Sequence, residues 1–484
     1  MASLVFYLSA TVLLAQSTVA FNCSKPPIYV DIHKRAVHDS PEFQYGSFIG
    51  VGTPAQNQSL WPSLSQNHTS FGTHAYCGDN STLRNCDRST GGFFLNQQST
   101  YADNGKDFQS LDQSRNETAL KGSFGQDTLR LYTHYFETDG ASQTLLENST
   151  VELAESGSIA PGIVGLGASS TVLRDLAAKD LIAGRTYSLY IGQGYARAGG
   201  AVNGSNTFGG YDSGRFTGTV HKYAMKTENM NPMSLRVKDI IISNSKDTNA
   251  NVSLFDNAKF PDMKSRPEAF EAAITTNQFP LSLPYQITQN FMKHLGAEKD
   301  NTWGDNSLKL KDHFSGTLSI VLEDDFVVTL PSEVLVNNSN ITPIQDREEK
   351  SDAPFYLSAA FLSQVYLMAD YESNNFFLAE AIQKDNMVMP VTFCPKSTPE
   401  PYQRPKQSAW VSQGLIGAVI GGLLGGAGIA VCAYCFVLAC RRKRAERKLN
   451  KDAKKSKMMQ LEIEETPEFD PPPKSATPFF WKKR

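Results

Sequence analysis

Seven cysteines are the side chains of this sequence best equipped for covalent chemistry, and their positions sort them into two groups. Cys23, Cys77, Cys86 and Cys394 precede a long uncharged segment, whereas Cys432, Cys435 and Cys440 lie in or beside it. An even set in an oxidising compartment implies two disulfides. Three pairings are open to four cysteines; the preferred one joins Cys77 to Cys86 across a small loop and Cys23 to Cys394 across the whole folded part. The C-x-x-C that begins at Cys432 would lie in lipid, a poor place for a metal, and Cys440 is a candidate for palmitoylation. The eight histidines show neither H-x-x-x-H nor H-E-x-x-H spacing, and no G-x-S-x-G occurs, so zinc-hydrolase and serine-esterase chemistry lack support. Gly50-Val51-Gly52-Thr53-Pro54-Ala55 has the look of a dinucleotide-binding loop, but no helical pattern follows it and Pro54 falls where the phosphate-binding turn would run. The expectation is no metal and no cofactor.

The elements that must position any site are set by topology. Residues 1–20 read as a signal peptide, with an apolar stretch from Leu4 to Ala15 and small residues at Thr18 and Ala20 before an expected cleavage. Leu415 to Cys440 carries no charge and is followed at once by Arg441, Arg442, Lys443 and Arg444, which is the pattern of a transmembrane helix (415–440) with a cytosolic anchor. Glycosylation sequons begin at Asn22, Asn57, Asn67, Asn80, Asn116, Asn148, Asn203, Asn251, Asn337 and Asn340, all on one side of that helix. The expectation is therefore a single-pass type I glycoprotein of the secretory route, at the plasma membrane, with a vacuolar or endosomal membrane as the alternative. A net charge of −3 combined with a basic C-terminal run points to a membrane surface and not to nucleic acid. Gly417, Gly421 and Gly425 recur every four residues and offer a face for homodimer packing. Residues 395–414 read as a Pro-punctuated stalk and 441–484 as a disordered tail, basic first, whose Pro471-Pro472-Pro473 could dock a cytosolic partner.

Between these segments, residues 21–394 show many short β-prone runs, such as Phe48 to Val51, Leu318 to Leu322 and Phe326 to Leu330, separated by Gly, Asn, Asp and Ser. Helical spacing appears only at Thr171 to Leu181 and Tyr285 to Leu295. The folded part is thus expected to be mainly β.

Five segments in order carry a resemblance. They are Phe48-Ile49-Gly50-Val51-Gly52-Thr53-Pro54-Ala55-Gln56, Gly122-Ser123-Phe124-Gly125-Gln126-Asp127-Thr128-Leu129, Pro161-Gly162-Ile163-Val164-Gly165-Leu166-Gly167, Phe208-Gly209-Gly210-Tyr211-Asp212, and Phe361-Leu362 through Ala369-Asp370 to Asn374-Asn375. In this order and spacing the sequence resembles the pepsin-like aspartic proteases, particularly the fungal ones. The resemblance implies a bilobal β fold, with an N-terminal lobe over about 40–215 and a C-terminal lobe over about 216–394. It also implies a cleft between them and one D-[ST]-G loop from each lobe. In that family two facing carboxylates share a proton and activate water.

Counting on from Gly52-Thr53-Pro54-Ala55-Gln56 places Ser63 where the first aspartate should stand, followed by Leu64 and Ser65. Counting back from Leu281-Ser282-Leu283-Pro284 places Thr275 where the second should stand. Neither hydroxyl has a pKa near that of an aspartate, about 3.9, so neither can serve as the base. The only D-[ST]-G is Asp212-Ser213-Gly214, where the resemblance implies an exposed strand and turn remote from the chemistry. The flap tyrosine of active relatives also has no counterpart, since counting back from Asp127 lands near Arg115. The sequons at Asn67 and Asn116 would set sugars near the cleft mouth. The sequence thus predicts a pepsin-fold surface protein without peptidase activity, whose cleft binds a peptide or a wall polysaccharide or which acts as a sensor. A membrane-anchored aspartic endopeptidase using an unusual acid pair is the alternative.

Overall fold

The computed structural model describes residues 21–78, 86–112, 117–133, 142–195, 197, 200–229, 231–244, 247–263, 267–336, 339–403 and 409–463. Periodicity is the first cause of its strands. In Thr317–Leu322 and Val327–Leu330 every second side chain is buried, so Leu318, Ile320, Leu322, Val328 and Leu330 face the core while their neighbours meet solvent. Thr186–Tyr190 and Gly204–Phe208 are buried on both faces and lie at the middle of the largest sheet.

That sheet has thirteen strands. It begins with three strands from the C-terminal half, Phe216–Ala224, Asn375–Ala381 and Val365–Asp370, and passes through Thr186–Tyr190, Gly204–Phe208, Ile28–Ala36 and Phe43–Val51 to Gln56–Ser63. It then continues through Ile163–Gly165 and Thr69–Gly72 to the long strands Gln143–Gly157, Glu117–Tyr132 and Ala102–Asp112. A second sheet of six strands, built around Ser234–Asn244, belongs to the C-terminal half and includes Phe270–Ile274 paired in parallel with Tyr356–Leu357. One hydrophobic core joins residues of both, from Ile28 and Leu60 to Ile274 and Leu357. The mainly β architecture agrees with the reading of the sequence.

Two helices of eight or more residues, and the single turns Ser332–Leu335 and Ala359–Leu362, sit against these sheets. Ser170 caps Thr171–Ala178, its hydroxyl accepting from Leu173 N at 3.3 Å. Tyr285–Leu295 buries Ile287 and Phe291 and stops at Gly296, whose φ of 65° closes the last turn. Disulfides join Cys23 to Cys394, with Cα atoms 5.3 Å apart, and Cys77 to Cys86.

In the C-terminal unit, residues 403–484, the described residues from Ala409 to Ile463 form one helix. It starts inside the stretch expected to be stalk and runs on well past Cys440 through the basic segment expected to lack structure. The physical reason is composition: Ala, Arg, Lys, Glu, Leu and Met dominate residues 441–463, and all are strong helix formers. Among the described residues, Gly417–Met459 is the one stretch long and apolar enough to cross a membrane. The expected signal peptide, Arg115 and the Pro471-Pro472-Pro473 run lie outside the described residues.

Candidate functional site

Ser63 ends the strand Gln56–Ser63, which pairs in parallel with Ile163–Gly165 so that Ser63 stands opposite Gly165. The packing behind it is close: a Cβ on Gly165 would come within 2.5 Å of His68 O, so only glycine fits there. Ser63 is fully buried. Its hydroxyl donates to Asn277 Oδ1 at 2.9 Å and accepts from Gln66 N at 3.3 Å.

The facing loop follows the strand Phe270–Ile274. Thr275 N donates to Leu357 O at 2.9 Å, and Thr275 Oγ1 accepts from Asn277 N at 3.1 Å, which folds the loop back so that the Asn277 side chain points across to the other half. There its Nδ2 donates to Ser65 Oγ at 3.0 Å, while Trp61 Nε1 donates to Thr276 O at 2.8 Å. Three hydrogen bonds therefore tie the two loops together at the centre, and every group in them is neutral. The resemblance puts Thr275 in the second aspartate's place; the side chain that hydrogen-bonds Ser63 is Asn277, two residues further on. The carbonyl oxygen of Asn277 is a fixed acceptor for the Ser63 proton, but an amide has no basicity near neutral pH and cannot remove it.

Among the described residues no carboxylate hydrogen-bonds either Ser63 or Asn277. Asp212 is elsewhere and, contrary to the expected exposed turn, is fully buried. Its Oδ1 accepts from Gly214 N at 3.0 Å and Met389 N at 2.8 Å, which holds the turn against the strand pair Gly210–Asp212 and Pro390–Thr392. Burial raises its pKa, opposed by those two bonds and by Arg215. Asp127 is spent on Ser99 and Thr100, whose hydroxyls donate to it at 2.7 and 2.6 Å. No group of His, Cys, Asp and Glu among the described residues could hold a metal ion.

Beside the loops opens a cavity of about 730 Å³ whose walls include Tyr45, Trp61, Ile163, Arg197, Thr276 and Phe279. Its volume suits a side chain or small ligand. Among the described residues of its wall the one carboxylate, Glu42, is paired with Arg88 at 3.0 Å. Arg197 is held by Asp305 at 3.2 Å and by Ser307, and lies over the rings of Phe279 and Trp303 at 4.6 and 5.0 Å. Burial lowers its pKa, against the opposing pull of Asp305.

Residues 44–381, more than half of the chain, match the family of eukaryotic aspartyl proteases. This chain belongs to that family. No curated protein matches it in sequence. Among solved structures, the crystal structure of aspartic proteinase from Irpex lacteus is similar at 16% identity and a TM-score of 0.49, over 73% of this chain and 97% of that one. In this aspartyl protease family member the hydrogen bond between Ser63 and Asn277 lies where the sequence resemblance expects the first aspartate.

The other residues singled out from the sequence fall in several places. Of the sequons, Asn22, Asn148, Asn203 and Asn251 are exposed, and Asn57, Asn67 and Asn340 are half-buried; Asn80, Asn116 and Asn337 lie outside the described residues. Asn67 Oδ1 accepts from Ser169 N at 2.9 Å and Asn57 Oδ1 from the Tyr132 hydroxyl at 2.8 Å, so both amides already have structural work. Asn277 and Arg197 were not anticipated. Asn277 could have been suspected as the residue two past Thr275, but Arg197 belongs to no motif.

Proposed function

We propose that this chain is a non-catalytic member of the aspartyl protease family, anchored by a single transmembrane helix, whose cleft binds an extended ligand without cutting it. The observation that carries the reading is the neutral Ser63–Asn277 hydrogen bond at 2.9 Å, in the position assigned to the acid pair. Water there has a donor and an acceptor but no base. Loss of general acid–base catalysis typically costs roughly 10²- to 10⁴-fold, and the electrostatic partner would be lost with it.

The anchored topology is supported by the apolar stretch of Gly417–Met459, the basic residues that follow Cys440 and the restriction of sequons to the other side. The disulfides between Cys23 and Cys394 and between Cys77 and Cys86 suit an oxidising lumen or cell surface. On this reading the plasma membrane carries the protein with its cleft outward.

The test is proteolysis of a denatured protein by the purified full chain in detergent, at pH values from about 3 to 6 where a carboxylate dyad would work. No cleavage above that of a heat-killed control is expected. Cleavage abolished by a transition-state-mimicking aspartic protease inhibitor would overturn the reading in favour of an endopeptidase with a different acid pair.

A further inference from the structure

Asp212-Ser213-Gly214 has no part in the centre of the cleft, yet it organises a surface at the end of the folded unit. Gly214 N and Met389 N donate to Asp212 Oδ1, Ser213 N and the Ser213 hydroxyl both donate to Met389 O at 3.0 Å, and Asn386 Nδ2 donates to Gly214 O. Tyr402 N donates to Ser213 O at 2.8 Å, so the residues around Met389 and the last residue of the unit are held against one turn. What that turn holds up is apolar. Met387, Val388, Val391 and Tyr402 are all exposed, Met387 at 64%.

Single exposed apolar residues are ordinary, and Phe43 and Val327 are of that kind; the uninterrupted run Met387-Val388-Met389-Pro390-Val391 is not. Its place in the chain says what covers it. Tyr402 ends the folded unit, and the helix that carries the apolar span starts at Ala409. Seven residues reach at most about 25 Å, so the turn that holds Tyr402 stays within that distance of the helix start. That start, with Trp410 shortly before the uncharged span from Leu415, belongs at the headgroup level of a bilayer. Residues 384–402 carry Lys384 and Lys396 against Asp385 and Glu400, a balance that suits zwitterionic headgroups better than an anionic surface. Four side chains are too few for a stable contact between copies, which takes about 20–30 residues a side, whereas a short tether to lipid makes a small patch sufficient.

We propose that this face of the folded unit rests on the membrane, with Met387, Val388, Val391 and Tyr402 entering the headgroup region of the leaflet on the same side as the folded unit. The proposal rests on the single-helix anchoring read above and adds to it a second, shallow lipid contact. The hydrogen bonds of the Asp212 turn fix the apolar run beforehand, so little ordering is left to be done when it meets lipid.

The experiment places the full chain, one copy per disc, in nanodiscs of phosphatidylcholine that include a small share of a phosphatidylcholine with a diazirine near the glycerol end of one acyl chain. After illumination, lipid adducts are mapped by mass spectrometry. Adducts are expected at residues 387–391 and at Tyr402 as well as along the membrane helix, and not at Phe43 or Val327. Met387→Asp combined with Val388→Asp should lower the adducts of the patch about tenfold and leave those of the helix unchanged, because a charge at the interface opposes insertion. Both positions are exposed, and an unchanged thermal midpoint confirms that the variant is folded. Adducts along the helix with none at the patch overturn the proposal and leave the anchored reading standing. Adducts at Phe43 and Val327 equal to those at the patch, or patch adducts that survive both aspartates, also overturn the proposal. An absence of adducts along 415–440 overturns the anchored reading and the proposal with it.

Discussion

Glu152 shows how much a single side chain can set the pH response of this fold. It lies in Gln143–Gly157 between Ser70 and Phe124 of the flanking strands, and it is buried with Oε2 unpartnered among the described residues. Desolvation pushes its carboxyl from an ordinary 4.5 up to about 8. Below the lower value the group is protonated in both folded and unfolded chains, so its stabilising share is fully present. As pH climbs towards 8 the unfolded chain gives up the proton while the folded one holds it, and that share is lost. The thermal midpoint of the wild type is therefore expected to fall between these pH values, and Glu152→Gln should flatten that part of the profile; parallel profiles for the two proteins would refute it. At the site, Asn277→Ala removes the acceptor of Ser63 and the donor to Ser65, and should cost about 1–3 kcal/mol in denaturant unfolding. Little of this was legible beforehand. Absence of a second D-[ST]-G could be read from the letters, but that Asn277 and not Thr275 meets Ser63 depends on how the loop folds back on Thr275 Oγ1.

At the level of elements, the junction of Ile163–Gly165 with Thr171–Ala178 supports the Ser63 loop from behind. Ser170 both caps the helix and donates to Gly165 O at 2.6 Å, so one hydroxyl locks the helix start to the strand facing Ser63. Ser170→Ala should lower unfolding free energy by about 1–2 kcal/mol, measured by urea titration. A loss within experimental error would show that the cap is redundant. These elements were readable because each announces itself locally: Tyr285 to Leu295 has helical spacing and a terminal Gly296, and Leu318 to Leu322 alternates. The C-terminal helix extends beyond the apolar stretch because helix propensity continues through the Lys- and Arg-rich residues to Ile463.

Across the whole molecule, the disulfide between Cys23 and Cys394 links residues 371 apart in sequence and ties the start of the folded chain to its end. Closing so long a loop restricts the unfolded chain more than the folded one, and Cys23→Ser is expected to cost about 2–5 kcal/mol. A thermal midpoint unchanged by that substitution would place the two ends under other control, such as the hydrogen bond from the Thr392 hydroxyl to Lys25 O at 2.7 Å. The sequence by itself determined the β class, the family and the apolar span, because these are properties of residue type and short-range order. Only the tertiary structure decided that Asn277 bonds Ser63, that Asp212 is buried, and that Arg197 and Thr276 line one cavity. Those residues are up to 214 positions apart, and contact between them follows from loop closure and core packing that no local pattern encodes.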